Sequence, residues 1–153
     1  MGTSYSVQKT KWDQDVPSTK IKTNENAGRV RIAYGLFEAA STAVGDIQMF
    51  NLPNGARILS GTLVHDALGG STTASVGHAA YTNAAGTVVA LDVDEYKAAA
   101  ASTGIVTVDI AATSALGRNS VVDADEDGLP VTVVTAGAAA TGTIELTMLY
   151  VVD

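Results

Sequence analysis

Apolar and polar residues alternate along most of the chain after about residue 29, and a period of two is typical of β-strands. The alternation is clearest near the C-terminal end, where Ile144, Leu146 and Met148 share one face, with Tyr150 and Val152, opposite Thr143, Glu145 and Thr147. Seven further segments are bounded by Gly, Asn or Asp: 30–36, 46–52, 56–65, 76–80, 88–91, 106–110 and 131–135. Eight short strands with frequent turns predict an all-β antiparallel sandwich or barrel.

The segment from Gly45 to Gly70 holds two of these strands around a tight turn. Pro53 presets φ for a first turn position and Gly55 tolerates positive φ, so Leu52 to Gly55 predicts a hairpin-like corner. In the second strand, strict alternation puts Ile58 and Val64 on one side and Leu59 and Leu63 on the other. A strand that is apolar on both sides needs cover on both. We expect one face to pack in the sandwich and the other to lie near a subunit boundary.

Two regions depart from the strand pattern. Asp92 to Glu95 offers an acidic N-cap, and the Ala-rich residues up to Ala101 precede Gly104, which predicts a helix of about two turns. Residues 1–28 lack periodicity and are rich in Lys, Ser, Thr and Asn, which predicts an extended N-terminal arm. The expected organisation is therefore an arm over residues 1–28 and a β-sandwich domain over residues 29–153.

The arm differs from the rest of the chain in charge and in its scattered apolar residues. Residues 1–31 hold six bases and three acids, 6 − 3 = +3, and the remainder holds three bases and 13 acids, 3 − 13 = −10. The acidic body makes nucleic acid an unfavourable partner. Trp12, the single Trp, is a candidate interface anchor. The candidate partner-binding residues are Trp12, Lys9, Lys11, Lys20, Lys22, Leu59 and Leu63.

Those residues leave several interpretations of the arm open. Charge alone is equally typical of a solvated tail. The apolar residues Tyr5, Val7, Trp12, Val16 and Ile21 dock either onto the chain's own domain or onto another chain. The basic residues fit an acidic surface, on a neighbouring copy or on a different protein.

Composition favours burial of much of the surface in an assembly. Charged residues make up 16% of the chain, below the roughly 25% of ordinary globular domains. A β-protein built of small residues has a similar composition, so both interpretations stand. Cysteine is absent, which excludes disulfides and thiolate chemistry. We find no export signal and no run near the roughly 20 apolar residues that span a bilayer, and expect no membrane contact.

The chain carries few candidate sites for chemistry. Asp123, Asp125 and Asp127 precede Gly128 at the spacing of a calcium loop, but position twelve is Val134 and a strand follows, so a solvated acidic loop is the alternative. His65 and His78 lie in predicted strands and lack a recognisable third metal ligand. No nucleophile elbow or phosphate-binding glycine pattern is present. We expect neither enzymatic activity nor a cofactor.

Two stretches resemble a known family. GDIQMFNLPNGARILSGTLVHDALG, residues 45–69, and ATGTIELTMLYVV, residues 140–152, are similar to small virion proteins of tailed bacteriophages of the capsid decoration (cement) type. The resemblance covers roughly Arg29 to Val152. It implies a jelly-roll-like β-sandwich that binds assembled shells from outside, commonly as a trimer. No individual functional residue carries over.

The expectation is therefore a decoration protein that stabilises the outer surface of a phage head after assembly in the host cytoplasm. Its partners would be the major capsid protein and two further copies of itself in a homotrimer. The alternatives are a minor head or tail structural protein, and a carbohydrate-binding β-sandwich module for surface attachment.

Overall fold

Two four-stranded antiparallel sheets enclose one hydrophobic core in the computed structural model, which describes residues 6–14, 16–20, 22–23 and 25–152. One helix, α1 (Val7–Trp12), and a 3-10 turn (Pro17–Thr19) precede the sheets, and a second 3-10 turn is Ser114–Leu116. The strands are β1 (Val30–Thr42), β2 (Gly45–Leu52), β3 (Arg57–His65), β4 (Thr73–His78), β5 (Tyr81–Thr82), β6 (Val88–Val89), β7 (Asp92–Ala101), β8 (Val106–Ile110), β9 (Leu129–Ala136) and β10 (Ala140–Val151).

The strand order identifies a jelly roll. The first sheet has the order β1-β10-β3-β8 and the second has the order β2-β9-β4-β7, while β5 and β6 form a separate small ribbon. Apart from that ribbon, the first strand in the chain pairs with the last, β1 with β10. The pairs β2–β9, β3–β8 and β4–β7 follow inward along the chain, and all four pairs are antiparallel. This nested pairing is that of one long hairpin rolled into two sheets. The predicted antiparallel, jelly-roll-like sandwich is confirmed.

The core lies between the two sheets and is built from alternate residues of each strand. In β10, Ile144, Leu146 and Met148 are fully buried, as the alternation predicted. The second sheet contributes Val131 and Val133 from β9. Burying aliphatic side chains contributes about 1.5–3 kcal/mol each, so this interior supplies the main stabilisation of a chain without disulfides.

A bulge in β3 changes the predicted assignment of its faces. Ser60 pairs with Leu149 and Ile58 pairs with Tyr150, so Leu59 is the extra residue. Because the extra residue shifts the alternation by one position, Ile58 and Leu63 both lie on the core face and are fully buried. Leu59 and Val64 are half-buried on the other face. The predicted grouping was wrong, and Leu63 packs inside its own chain.

The predicted hairpin-like corner between β2 and β3 is a corner between the two sheets, and its strands do not pair as a hairpin. Strand β2 pairs with β9, and β3 pairs with β10 and β8. The Ala56 N–H donates to the Pro53 carbonyl at 3.2 Å, so Pro53 begins the turn and does not occupy its first central position. Gly55 has φ of +77°, which confirms the need for glycine. The corner carries the chain from one sheet to the other, as a jelly roll requires.

The helix predicted over residues 92–101 is wrong, because this segment forms β7. It pairs with β4, where Ala74 lies opposite Ala100 and Val76 lies opposite Lys97. Tyr96 is buried in the core at 3% exposure, and the Lys97 Nζ donates to the Ala74 carbonyl at 2.9 Å. Helix propensity differs by only about 0.7 kcal/mol per residue among ordinary residues, so sheet pairing and the burial of Tyr96 outweigh it.

Among the described residues, the α-helix lies within residues 1–28, which we call the N-terminal segment and for which the sequence predicted only an extended arm. Ser6 caps α1 because its Oγ accepts the Lys9 N–H at 3.1 Å. Every residue of α1 lies outside the core. This segment is therefore partly helical and lies on the surface of the sandwich.

Candidate assembly surface

The outward side of β1 carries four large apolar side chains. Val30, Ile32, Tyr34 and Leu36 are exposed by 60%, 63%, 54% and 57%, and we call these four residues the β1 stripe. The sequence predicted a strand here without indicating which of its faces meets the core. The core face carries the smaller set Ala33, Gly35, Phe37 and Ala39.

Close packing between strands explains why the smaller set faces inward. A Cβ on Gly35 would lie 2.9 Å from the backbone oxygen of Met49 in β2, so a larger residue does not fit there. Phe37 is the large residue on the core face of β1, and Val30, Ile32, Tyr34 and Leu36 are on the surface. Contiguous exposed apolar side chains are typical of surfaces that another protein or segment covers.

The β1 stripe borders a broader surface formed by all four strands of the first sheet, which we call the outer face. The pairing register places Leu149 and Thr147 beside Ile32 and Tyr34. Other members are Glu38, Thr143, Glu145, Arg57, Leu59, Ser60, Thr62, Val64, Thr107 and Asp109. The outer face is therefore apolar along β1 and rich in threonine at its centre.

The charges of the outer face are mostly negative. Its acids are Glu38, Glu145 and Asp109, and among the outward residues of these four fully described strands Arg57 is the single base. The Thr143 hydroxyl donates to Glu38 at 2.8 Å. The pKa of Tyr34 is raised, first by desolvation and then by the neighbouring Glu145 carboxylate. A partner with positive charge and apolar side chains complements such a surface.

Glu25 anchors the N-terminal segment at the Arg57 end of the outer face. Its carboxylate accepts the Lys11 Nζ at 2.7 and 3.0 Å and the Lys22 backbone N–H at 3.2 Å, and lies 3.9 Å from the Arg57 Nη2. The Lys11 hydrogen bond and then the Lys22 N–H hold the pKa of Glu25 below its usual value of 4.5. The Arg57 Nη1 also donates to the Asn119 carbonyl at 2.9 Å.

A groove of about 360 Å³ lies beside this anchor, lined by Gln8, Glu25, Arg57, Leu59 and Asn119. Of the residues predicted to bind a partner, the structure brings Lys11 and Leu59 to this one end of the outer face. Leu63 is in the core. The sequence contained no local signal for the roles of Glu25 and Arg57, because the two are distant in the chain and meet only after folding.

Trp12 lies on the surface and is not packed into the chain's own domain. It is 59% exposed, and Val7 and Val16 are 65% and 57% exposed. Lys9 forms an ion pair with Asp13, and Lys20 and Lys22 are exposed. Tyr5 and Ile21, named with these apolar residues, lie outside the described residues. The N-terminal segment therefore presents apolar and basic groups together.

Two aspartates of the predicted calcium loop accept backbone N–H groups with their carboxylates. The Asp123 Oδ1 accepts the Ala84 N–H at 3.3 Å, and the Asp125 Oδ1 accepts the Asp127 N–H at 3.1 Å. Within the described ranges, no three His, Asp or Glu side chains are placed to hold a metal ion. Calcium binding at Asp123, Asp125 and Asp127 stays a prediction from the sequence.

A small cleft of about 140 Å³ brings together the remaining candidate chemistry. His78, Tyr81, Glu95, Tyr96 and Asp123 line it. The His78 ring packs edge-on against Tyr81 with centroids 5.3 Å apart, and its Nδ1 lies 2.9 Å from the Ala79 carbonyl. Burial raises the pKa of both Tyr81 and Tyr96 above the ordinary value. These phenols stay protonated at neutral pH, and the cleft is best explained as packing at the edge of the core.

The other histidine is likewise part of the packing. His65 is buried on the core face of β3, and its Nδ1 lies 2.7 Å from the Asp66 carbonyl. Across residues 6–152, apart from the three undescribed positions, none of the helices is long and apolar enough to cross a membrane.

Comparison with known proteins finds solved structures whose fold is similar to that of this chain. No family model matches the chain, and no curated protein matches it in sequence. A chain from the capsid of Ralstonia phage GP4 is similar with a TM-score of 0.60 and 26% identity, over 82% of this chain and 86% of that one. A chain from the cyanophage Pam1 capsid asymmetric unit has a TM-score of 0.56 and 22% identity, over the same shares.

A third likeness is weaker. A chain from the acid-stable capsid of Helicobacter pylori bacteriophage KHP30 has a TM-score of 0.48 and 17% identity, over 80% of this chain and 87% of that one. The likeness to the Ralstonia phage GP4 capsid chain confirms the predicted resemblance to phage virion proteins.

Proposed function

We propose that this chain is a structural protein of a tailed-phage virion that binds the outer surface of the head and stabilises it. The observation that carries the proposal is the likeness to a chain from the Ralstonia phage GP4 capsid, which extends over most of both chains at 26% identity. A shared fold does not by itself give a function, so the surface of this chain supplies the second argument.

Two surface features support a role in assembly. The β1 stripe exposes four large apolar residues on one strand, and the N-terminal segment exposes Trp12 beside basic residues. Both are typical of surfaces that other proteins cover. The candidate site holds no arrangement of groups that we assign to catalysis, and we propose a structural, non-enzymatic role.

The charge distribution supports a location on the outer surface of the shell. Residues after position 31 carry 3 − 13 = −10. A surface of that charge repels a phosphate backbone and is unfavourable next to packaged DNA. The proposed partners are the major capsid protein and further copies of this chain in a homotrimer, with assembly onto the shell in the host cytoplasm.

Binding to shells tests this function directly. Purified heads that lack the protein are mixed with the full chain and sedimented, and the bound copies are counted. We expect saturable binding at many equivalent positions and a higher melting temperature of the shell, because a ligand that binds only the assembled form stabilises it. Chain that stays in the supernatant at micromolar concentration would contradict a decoration role.

A further inference from the structure

We propose that the β1 stripe is covered, in the assembled protein, by the N-terminal segment of a second copy of this chain. This inference deepens the proposed function, since it rests on the self-association included there and names the two surfaces that meet. Each surface is described by its exposed residues: Val30, Ile32, Tyr34 and Leu36 on β1, and Val7, Trp12 and Val16 on the segment.

Both surfaces stay exposed within a single chain. The segment lies over the Arg57 end of the outer face, where Glu25 holds it through Lys11 and Arg57. With the segment in that place, Ile32 is still 63% exposed and Trp12 is still 59% exposed. The chain's own contacts therefore leave two apolar surfaces that do not cover each other.

Charge favours a second copy as the occupant. Residues 1–28 carry 4 − 3 = +1, and this segment exposes Lys20 and Lys22. The outer face carries the acids Glu38, Glu145 and Asp109, and its base Arg57 is beneath the chain's own segment. A cationic segment with apolar anchors complements an acidic face with an apolar stripe, and each copy of this chain possesses both.

The position of β1 in the sheet also favours a contact with the N-terminal segment of a second copy. Strand β1 is at the edge of the first sheet, paired with β10 alone. A long edge strand with an apolar face needs cover that blocks further pairing. If each copy gives its segment to one neighbour and receives a segment from another, the contact is head-to-tail, and it forms a ring when the rotation between neighbours closes. The proposed homotrimer is a ring of this kind.

Sedimentation equilibrium of the full chain tests the two surfaces. We expect Ile32→Thr, Leu36→Thr and Trp12→Ala each to weaken association by about tenfold, as loss of one interface anchor does. Glu145→Lys, which reverses a charge on the outer face, should also weaken it. The matched control is Val88→Thr in β6, whose residue is 74% exposed and lies in the small β5–β6 ribbon, outside the first sheet, and which should associate like the wild type.

Cross-linking separates contact between copies from contact within one chain. The chain has no cysteine, so one introduced thiol is unique. Chains of different tag length carrying Trp12→Cys and Ile32→Cys are mixed, refolded together and treated with a short bismaleimide. We expect a covalent product that contains one chain of each length, and little product when Val88→Cys replaces Ile32→Cys.

The outcomes distinguish this inference from the proposed function. An oligomeric wild type whose association is unchanged by the stripe and Trp12 variants overturns the inference alone. If the stripe variants stay oligomeric but no longer sediment with shells, the stripe contacts the shell, and this result also overturns the inference. A monomeric wild type that binds shells overturns the inference and the homotrimer while leaving decoration intact. Failure to bind shells, with the cross-link formed, contradicts decoration and supports the inference.

Discussion

Single residues determine which faces of the strands are buried in the core and which are exposed on the surface. Gly35 lets β1 approach β2, and the four residues of the β1 stripe lie on the opposite, outward side of the strand. Leu59 is the extra residue of a bulge, and this places Leu63 in the core. Sequence alternation predicted the strand in both cases. The alternation did not predict which side of each strand meets the core, because one bulge or one close contact between strands changes that side without altering the local sequence pattern.

The bulge gives a matched pair of substitutions in one strand. We expect Leu63→Ala to lower the free energy of unfolding by about 2–5 kcal/mol, because it leaves a cavity in the core. Leu59→Ala, at a half-buried position of the same strand, should cost about 1 kcal/mol or less. Urea unfolding of both variants measures the difference, and equal losses would show that the two side chains do not lie on opposite faces.

Glu25 predicts a pH dependence of the N-terminal anchor. Its pKa in the folded chain is below the usual 4.5, so its ion pairs stabilise the docked segment above that pH. The stabilisation is lost as the pH falls below 4.5 through the folded pKa. We expect protection of the Lys22 amide, corrected for intrinsic exchange, to drop as the pH falls below 4.5.

The matched variant for that measurement is Glu25→Gln. It removes the charge at every pH, so the Lys22 amide should be poorly protected already at neutral pH and show little further change on acidification. Wild-type protection that is constant across the same range would contradict the anchoring role of Glu25.

At the scale of elements, most strands were predictable from the sequence, whereas β7 and the pairing were not. The period of two marks β10 because one of its faces lies in the core, but in β1 the alternating large apolar residues face outward. The segment 92–101 has a helical composition but becomes β7, since its partner β4 is distant in sequence and supplies the pairing. The corner at Pro53 was predicted as a turn, yet only the partners of β2 and β3 show that it joins two sheets.

The close pairing of β4 with β7 makes Gly77 a sensitive position. A Cβ there would lie 2.0 Å from the Asp92 oxygen and 2.5 Å from the Val93 carbonyl carbon. We expect Gly77→Ala to force these strands apart and to cost about 1–3 kcal/mol. Gly104→Ala is the control, because a Cβ at Gly104 meets nothing within 4 Å. Thermal unfolding compares the two, and equal melting temperatures would argue against close β4–β7 packing.

At the scale of the whole molecule, the candidate surface was only partly predictable. Composition indicated an assembly and the charge division indicated a basic N-terminal segment. The place where the segment docks depends on Glu25 and Arg57, which meet only in the folded chain. Trp12 and Leu59 were named from sequence, whereas the β1 stripe emerged from the orientation of β1 in the sandwich.

The fold likeness to phage capsid chains is compatible with two places in a virion. A decoration protein occupies every equivalent position of the shell. A minor head or tail protein occupies one vertex or one junction. Symmetry therefore gives the two roles very different copy numbers.

The most direct test is the number of copies of this chain per particle, measured by quantitative mass spectrometry of purified virions against the major capsid protein. Decoration of the outer surface predicts on the order of hundreds of copies in a fixed ratio to the capsid protein, as equivalent positions of a closed shell require. About a dozen copies, or none, would contradict it.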